Sequence, residues 1–249
     1  MRSTRTAAAS AALLTLTFLA GCGGGDDDKK SSDPETTVVT ESPSTSATSE
    51  ATTTSPTTDT SVSPMDPTDG ADVTQDQLDA ALLTPEEVGA DFVAGSYADS
   101  DDPPPCDPSA TPLDQQVPPT VQGGVEIDHS SGQAAMQEEI SIYGSDDDAA
   151  NALTLGTNGL ACSDGTLPDG SAVKIEAPQD VTADVDPSGL GTSTAYSFSG
   201  DGYDGVLIIT IAHQVILTTT FQSATGADTS TLPNPVDVAA TAWAKALAN

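Results

Sequence analysis

The sequence predicts an α+β domain, a single antiparallel β-sheet flanked by helices, set behind a disordered tether. Three observations carry this. Two short helix patterns open the foldable part, alternating and β-branched runs fill its middle, and a long apolar stripe at helical spacing closes it. No internal repeat interrupts that order. The chain has 249 residues, 38 acidic and 6 basic, for a formal charge of −32. Phosphate recognition needs clustered Lys and Arg, so this balance excludes a nucleic-acid partner and argues against direct docking on an anionic membrane.

The elements follow in chain order. Arg2 and Arg5 form a positive n-region, and Ala7 to Ala20 form an apolar stretch of about 14 residues, short for a membrane span. The stretch ends Leu19-Ala20-Gly21-Cys22, which resembles a bacterial lipobox. Residues 1–21 then read as a lipoprotein signal peptide. Cys22 would receive the lipid and become the mature N-terminus, anchored stably because two or more acyl chains are involved. From Ser31 to Pro64, 20 of 34 residues are Ser or Thr, with Pro and acids between. Such a tract cannot bury enough apolar surface to offset the entropy of ordering. Residues 22–70 therefore read as the lipidated cysteine and a disordered linker, with an r.m.s. reach of roughly 40 Å. Its Ser, Thr and Pro content also suits O-glycosylation, which an intact mass above polypeptide plus lipid would reveal.

Residues 71–249 are expected to form one domain, with 28 acids against Lys174 and Lys245, or −26. Asp72 to Leu83 places Leu78, Ala81 and Leu82 on one helical face. Thr84-Pro85-Glu86-Glu87 then restarts a helix with a capping box, and Val88 and Phe92 form its buried side. Asp99 to Pro105 is a loop. Val125 to Tyr143 reads as two strands about a turn at Ser130-Ser131-Gly132. Ser145 followed by Asp146, Asp147 and Asp148 starts a helix, since three carboxylates meet its positive end. That helix is expected to carry Ala149, Ala152, Leu153 and, if it runs that far, Leu160 inward, and Gly156 and Gly159 weaken its far end. Val173 to Ala177 and Thr194 to Ser199 are strands. Val206 to Ala212 and Val215 to Phe221 form a hairpin about His213-Gln214, with one long bent strand as the alternative. Asn234-Pro235 opens the last helix, whose expected stripe is Val236, Ala239, Ala240, Trp243, Ala246 and Leu247.

Three cysteines are present. With Cys22 lipidated, Cys106 and Cys162 remain as an even pair in an exported protein and are expected to form a disulfide. A redox or metal thiol is the alternative, although no Cys-x-x-Cys occurs.

Catalytic candidates are few. Ser171-Ala172-Val173-Lys174 matches a Ser-x-x-Lys nucleophile pattern, but that chemistry needs both on one helical turn and this segment is β-like. A Ser-His-Asp triad could draw only on His129 or His213, both near predicted turns. Asp99, Asp101, Asp102 and Asp107 cluster in one loop, and Asp201 and Asp204 in another. They are candidates for calcium, without the spacing of an EF-hand loop. The reading is therefore no catalytic residue, no cofactor and no assigned metal site. The acidity itself has two readings, a solvated shell or a surface for a basic partner.

Taken together, the lipobox and tether, the helix Leu83-Thr84-Pro85-Glu86-Glu87-Val88-Gly89, Cys106 and Cys162, the β-branched hairpin and the terminal helix resemble the extracellular sensor domain of actinobacterial PknH-type receptor kinases and their kinase-free lipoprotein relatives. The resemblance spans about residues 75–249. It implies an antiparallel sheet flanked by helices, a ligand cleft, and Cys106–Cys162 as the family's first disulfide. The family's later cysteine pair has no counterpart, and Gly159, Leu160 and Ala161 stand where an aromatic residue often precedes the helix-closing cysteine. The expected function is a lipid-anchored lipoprotein on the outer face of the cell membrane, with a non-catalytic sensor or ligand-binding domain. Its partner would be an unknown small ligand or cell-envelope component, and it would meet the membrane through the anchor only. The alternatives are a carrier of an apolar envelope molecule, which needs a deep apolar cavity, and a cell-envelope hydrolase.

Overall fold

The computed structural model describes residues 73–98 and 102–248; the expected leader, Cys22 and tether lie outside the described residues. Helix α1 (Gln75–Ala81) begins at Thr74, whose hydroxyl accepts from Gln77 N at 3.3 Å while the Gln77 side chain accepts from Thr74 N at 3.0 Å. This reciprocal cap satisfies two helix-end donors. Helix α2 (Pro85–Val88) starts the same way, with Thr84 N donating to Glu87 Oε2 at 2.7 Å. The helix lasts one turn and ends at Gly89. Phe92 is therefore not on a helical face; it opens strand β1 (Phe92–Ala94) and is buried there, edge-on to His129 at 5.0 Å.

Strands β2 (Val121–His129) and β3 (Ala134–Ile142) form the expected hairpin, turned through Gly132 at φ 69°. β2 begins four residues earlier than the sequence suggests, because Gly123 and Gly124 hide its start from any propensity argument. Short helix α3 (Leu113–Gln116) precedes β2, and α4 (Asp146–Asn158) follows β3. In α4, Ser145 Oγ accepts from Asp148 N at 3.1 Å, as the cap requires. Next come β4 (Asp164–Thr166), β5 (Ala172–Ile175), β6 (Gln179–Asp180) and α5 (Thr182–Val185). Then β7 (Thr192–Gly200), β8 (Tyr203–Ala212) and β9 (Val215–Ala224) run as a meander. The β8–β9 hairpin turns at His213 and Gln214 as expected, with His213 at φ 50°. Helix α6 (Pro235–Ala248) closes the chain.

The strands make one antiparallel nine-stranded sheet in the order β1-β2-β3-β9-β8-β7-β5-β4, with β6 added to β7. The fold is thus α+β, as the sequence predicts. Both faces are covered, which explains the near-continuous apolar runs of β8 and β9. On one face, α1 and α6 lie over Ile127, Met136, Ile140, Ile208 and Leu217, giving a single continuous core around fully buried Trp243. The buried side of α6 is Val238, Ala239, Ala242, Trp243 and Ala246. It is rotated from the expected stripe: Val236 and Leu247 only flank the core, and Val238 and Ala242 take the centre. An apolar surface this wide leaves the helix free to settle on its small alanines, which allow close approach to the sheet. The other face carries α3, α4 and the loop joined to them by the Cys106–Cys162 disulfide, with Cα atoms 5.7 Å apart.

Candidate functional site

The two faces are filled differently. Opposite the α6 core, the second face holds two separate apolar clusters. One contains Leu167, Val173, Ile175, Tyr196, Phe198 and Leu207; the other contains Val117, Tyr143, Ala149, Ala152 and Ile216. Between them lies a groove of about 290 Å³. Its floor is Leu207 and Ile209 of β8 with Thr218 of β9. One wall is the end of α4 with the residues just beyond it, Leu155 to Leu160, and the other is the loop bearing Pro104, Pro105 and Ala110 together with Leu113 of α3. Interiors pack with few voids larger than a water, so an unfilled seam between two cores marks a place for something else.

Glycines shape this seam. Gly159 ends α4, and a Cβ there would lie 2.5 Å from Pro104 Cβ. The proline loop can approach only because that Cβ is missing. Gly156, one turn earlier, places no side chain in the space that the groove occupies. The disulfide then ties this loop to the segment just beyond α4, so both walls are held at one end.

At its inner end the groove adjoins a small pocket of about 30 Å³, with which it shares Leu113, Gly156, Ile209 and Thr218. Polar groups gather here. Glu139 of β3, 5% exposed, accepts from Tyr97 OH at 3.0 Å, Gln122 Nε2 at 2.9 Å and Ser141 Oγ at 3.3 Å. Asp114 of α3, 7% exposed, lines the same pocket, with Tyr143 beside them. Burial pushes the Tyr143 hydroxyl pKa upward, and the charges of Glu139 and then Asp114 add to the rise. The phenol therefore stays protonated and feels both carboxylates. Tyr97 reaches Glu139 because Gly124 leaves room beneath its ring; a Cβ there would meet Tyr97 Cε2 at 2.4 Å.

The residues singled out in the sequence fall elsewhere. His129 Nδ1 and Ser131 Oγ share a 2.7 Å hydrogen bond at the β2–β3 turn, while His213 Nδ1 meets Asp146 Oδ2 at 3.3 Å at the β8–β9 turn. The β3–β9 register puts these turns at opposite ends of the sheet, roughly 30 Å apart. Neither histidine lines the groove. Ser171 is in a turn, donating to Asp169 at 2.6 Å, and Lys174 is on β5, so no helical turn unites them. Asp99 and Asp101 lie outside the described residues. Asp102 and Asp107 are at the groove mouth, and Asp107 Oδ1 accepts from Ser109 N and Oγ at 3.2 and 2.7 Å. Asp204 lines a second, more open and more polar cleft of about 630 Å³ on the other face, with Glu176 and the Thr229–Pro235 segment. Among the described residues, no three His, Cys, Asp or Glu side chains gather as a metal site would require.

Sequence reasoning did not find Glu139, Asp114, Gln122 or Tyr97. One signal was present: Glu138 and Glu139 stand together inside the apolar run Ala134–Ile142. Adjacent residues of a strand face opposite ways, so such a pair puts a carboxylate into each layer of a two-sided sheet.

Among the described residues, no helix is long and apolar enough to cross a membrane. No family model and no curated sequence matches the chain. The fold, however, is similar to the crystal structure of the extracellular domain of PknH from Mycobacterium tuberculosis. The TM-score is 0.51 with 14% sequence identity, over 70% of this chain and 96% of that one. At that identity the likeness is one of fold, and it matches the antiparallel sheet with flanking helices that the sequence implies.

Proposed function

We propose that this chain is a lipid-anchored surface lipoprotein whose C-terminal domain is a non-catalytic sensor or ligand-binding module. The groove between the two cores carries the reading: about 290 Å³ of mainly apolar space, left unfilled at Gly156, with its walls joined at one end by the Gly159–Pro104 contact and the Cys106–Cys162 bond. That volume is at the small end of ligand pockets, roughly 300–1,000 Å³. A small ligand suits it better than the acyl chains of an envelope carrier. The fold similarity to an extracellular domain supports an extracytoplasmic setting. Signal cleavage before Cys22, an actinobacterial origin, anchoring there and a disordered linker over residues 22–70 belong to the same proposal.

Native mass spectrometry of the protein from its own host tests the ligand, with a co-purified small molecule as the expected result. A bare polypeptide whose groove resonances move with no envelope extract would overturn ligand binding. For the anchor, the mass of the mature N-terminus should show a lipidated Cys22; a full-length chain with a free Cys22 thiol would refute it.

A further inference from the structure

Resting on the ligand-binding reading of the groove, we infer that its ligand is an amphiphilic primary amine. The apolar body lies along Leu207, Ile209, Leu155 and Leu160, and the ammonium enters the inner pocket beside Glu139 and Asp114. Three observations converge on this class. The outer space is bounded mainly by aliphatic side chains and prolines, with the carboxylates Asp102 and Asp107 at its mouth, which suits a hydrocarbon body. The inner pocket, about 30 Å³, is small beside the groove and has room for a compact head group such as –NH₃⁺. Its polar lining includes two carboxylate side chains within one small space, and no Lys, Arg or His lines either the pocket or the groove.

Charge complementarity decides the sign of the head group. An ammonium has three donors and no acceptor, which matches carboxylate oxygens and the Ser141 hydroxyl. A carboxylate or phosphate ligand would face Glu139 and Asp114 in a poorly solvated site, where like charges repel strongly. The domain's −26 acts in the same direction at longer range, drawing cations toward any opening and weakening as salt is added.

The test uses the full chain carrying Cys22→Ser, so that no acyl chain competes, with n-hexylamine, n-hexanol and hexanoate as probes. Binding is read by chemical-shift changes at Leu207, Ile209 and Leu155. Hexylammonium is expected to bind at least tenfold more tightly than hexanol, and hexanoate more weakly than either. Glu139→Gln should weaken hexylammonium at least fivefold and leave hexanol within twofold. Asp147→Asn, on the exposed start of α4, should change neither. Asp114→Asn provides the same comparison if Glu139→Gln fails to give the native Trp243 emission. Equal affinities for amine and alcohol, or an amine affinity that Asp147→Asn lowers as much as Glu139→Gln, would overturn the amine class while leaving a ligand groove. Absence of shifts with all three probes would overturn the groove reading itself.

Discussion

Glu138 offers the sharpest test of how this core is built. It lies on β3 between Met136 and Ile140, wholly buried on the α6 side of the sheet. Its Oε2 accepts from Leu83 N at 2.7 Å, and its Oε1 has no hydrogen-bond partner among the described residues. Nearby, Lys245 Nζ donates to Leu82 O and Glu87 Oε2, both at 2.7 Å. Burial raises the Glu138 carboxyl from the ordinary 4.5 to about 7. The Leu83 amide and the Lys245 charge restrain the rise, and the Glu87 charge adds to it. Each pH unit corresponds to about 1.4 kcal/mol between protonation states, so ionising this group in the folded protein costs about 3 kcal/mol more than in the unfolded chain. The sign follows from linkage. Between pH 4.5 and 7 the unfolded state releases the proton and the folded state keeps it, so stability falls as pH rises through that window. Glu138→Gln keeps an acceptor for Leu83 N and cannot ionise. In urea titrations the variant should match the wild type within about 1 kcal/mol at pH 4.5 and exceed it by about 2–3 kcal/mol at pH 8. With a slope of about 2 kcal/mol per M, that moves the midpoint by more than about 1 M. Buried Trp243 reports the transition, since it packs in the same core. Midpoints that remain parallel across this range would refute the argument that Glu138 is the destabilising charge.

Other expectations can be checked on the same purified protein. Replacing Cys106 and Cys162 by Ser together removes a constraint on a loop of about 57 residues. It should lower stability by up to about 4 kcal/mol in urea titrations and broaden the resonances of Leu155 and Leu160 at the groove wall. Gly124→Ala places a methyl 2.4 Å from the Tyr97 ring and 2.6 Å from Glu138 O. Because the backbone cannot yield, Tyr97 must leave Glu139; thermal unfolding should show a loss of about 1–3 kcal/mol, against about 1 for Tyr97→Phe, which deletes only the hydrogen bond. His213→Gly relieves a non-glycine residue held at φ 50° and breaks only an exposed contact with Asp146. It should raise the thermal midpoint slightly, by a gain of up to about 1 kcal/mol; a clear loss would mean that the His213–Asp146 contact matters.

What could be read from the sequence was what short stretches decide for themselves. Ser145 with its three aspartates, Thr84 with Glu87, and the β-branched halves about His213-Gln214 each specify a local form, and each was legible. The cysteine pair was legible by elimination, once Cys22 was read as the lipidated residue of an exported chain. Features that depend on distant partners were not. β4 and β6 have only three and two residues, and exist as strands because β5 and β7 pair with them. The buried side of α6 depended on how closely its alanines could approach the sheet. The groove is assembled from residues near 105, 158, 208 and 218, brought together by the β8–β9 pairing and the disulfide, and no local pattern announces a space between side chains. Glu139 was visible as a charge inside a strand, but its role depends on Gly124 admitting Tyr97 from thirty or more residues upstream of β3.

The strand order also bears on how the chain reaches this state. The centre of the sheet consists of two meanders, β1-β2-β3 and β7-β8-β9; β2-β3, β7-β8 and β8-β9 are hairpins with short turns, whereas β1 reaches β2 through a long segment that includes α3. They join only along β3 and β9, where Ile142 meets Val215 and Ala134 meets Ser223. Those partners are separated by roughly 70–90 residues, so the central seam of the sheet closes the largest loop and must wait for the last strand. Until it closes, each meander exposes a long unpaired edge with apolar side chains on both sides. The rate-limiting event in folding is then expected to be this single docking, and the half-formed sheet before it is the species most prone to pair with another chain.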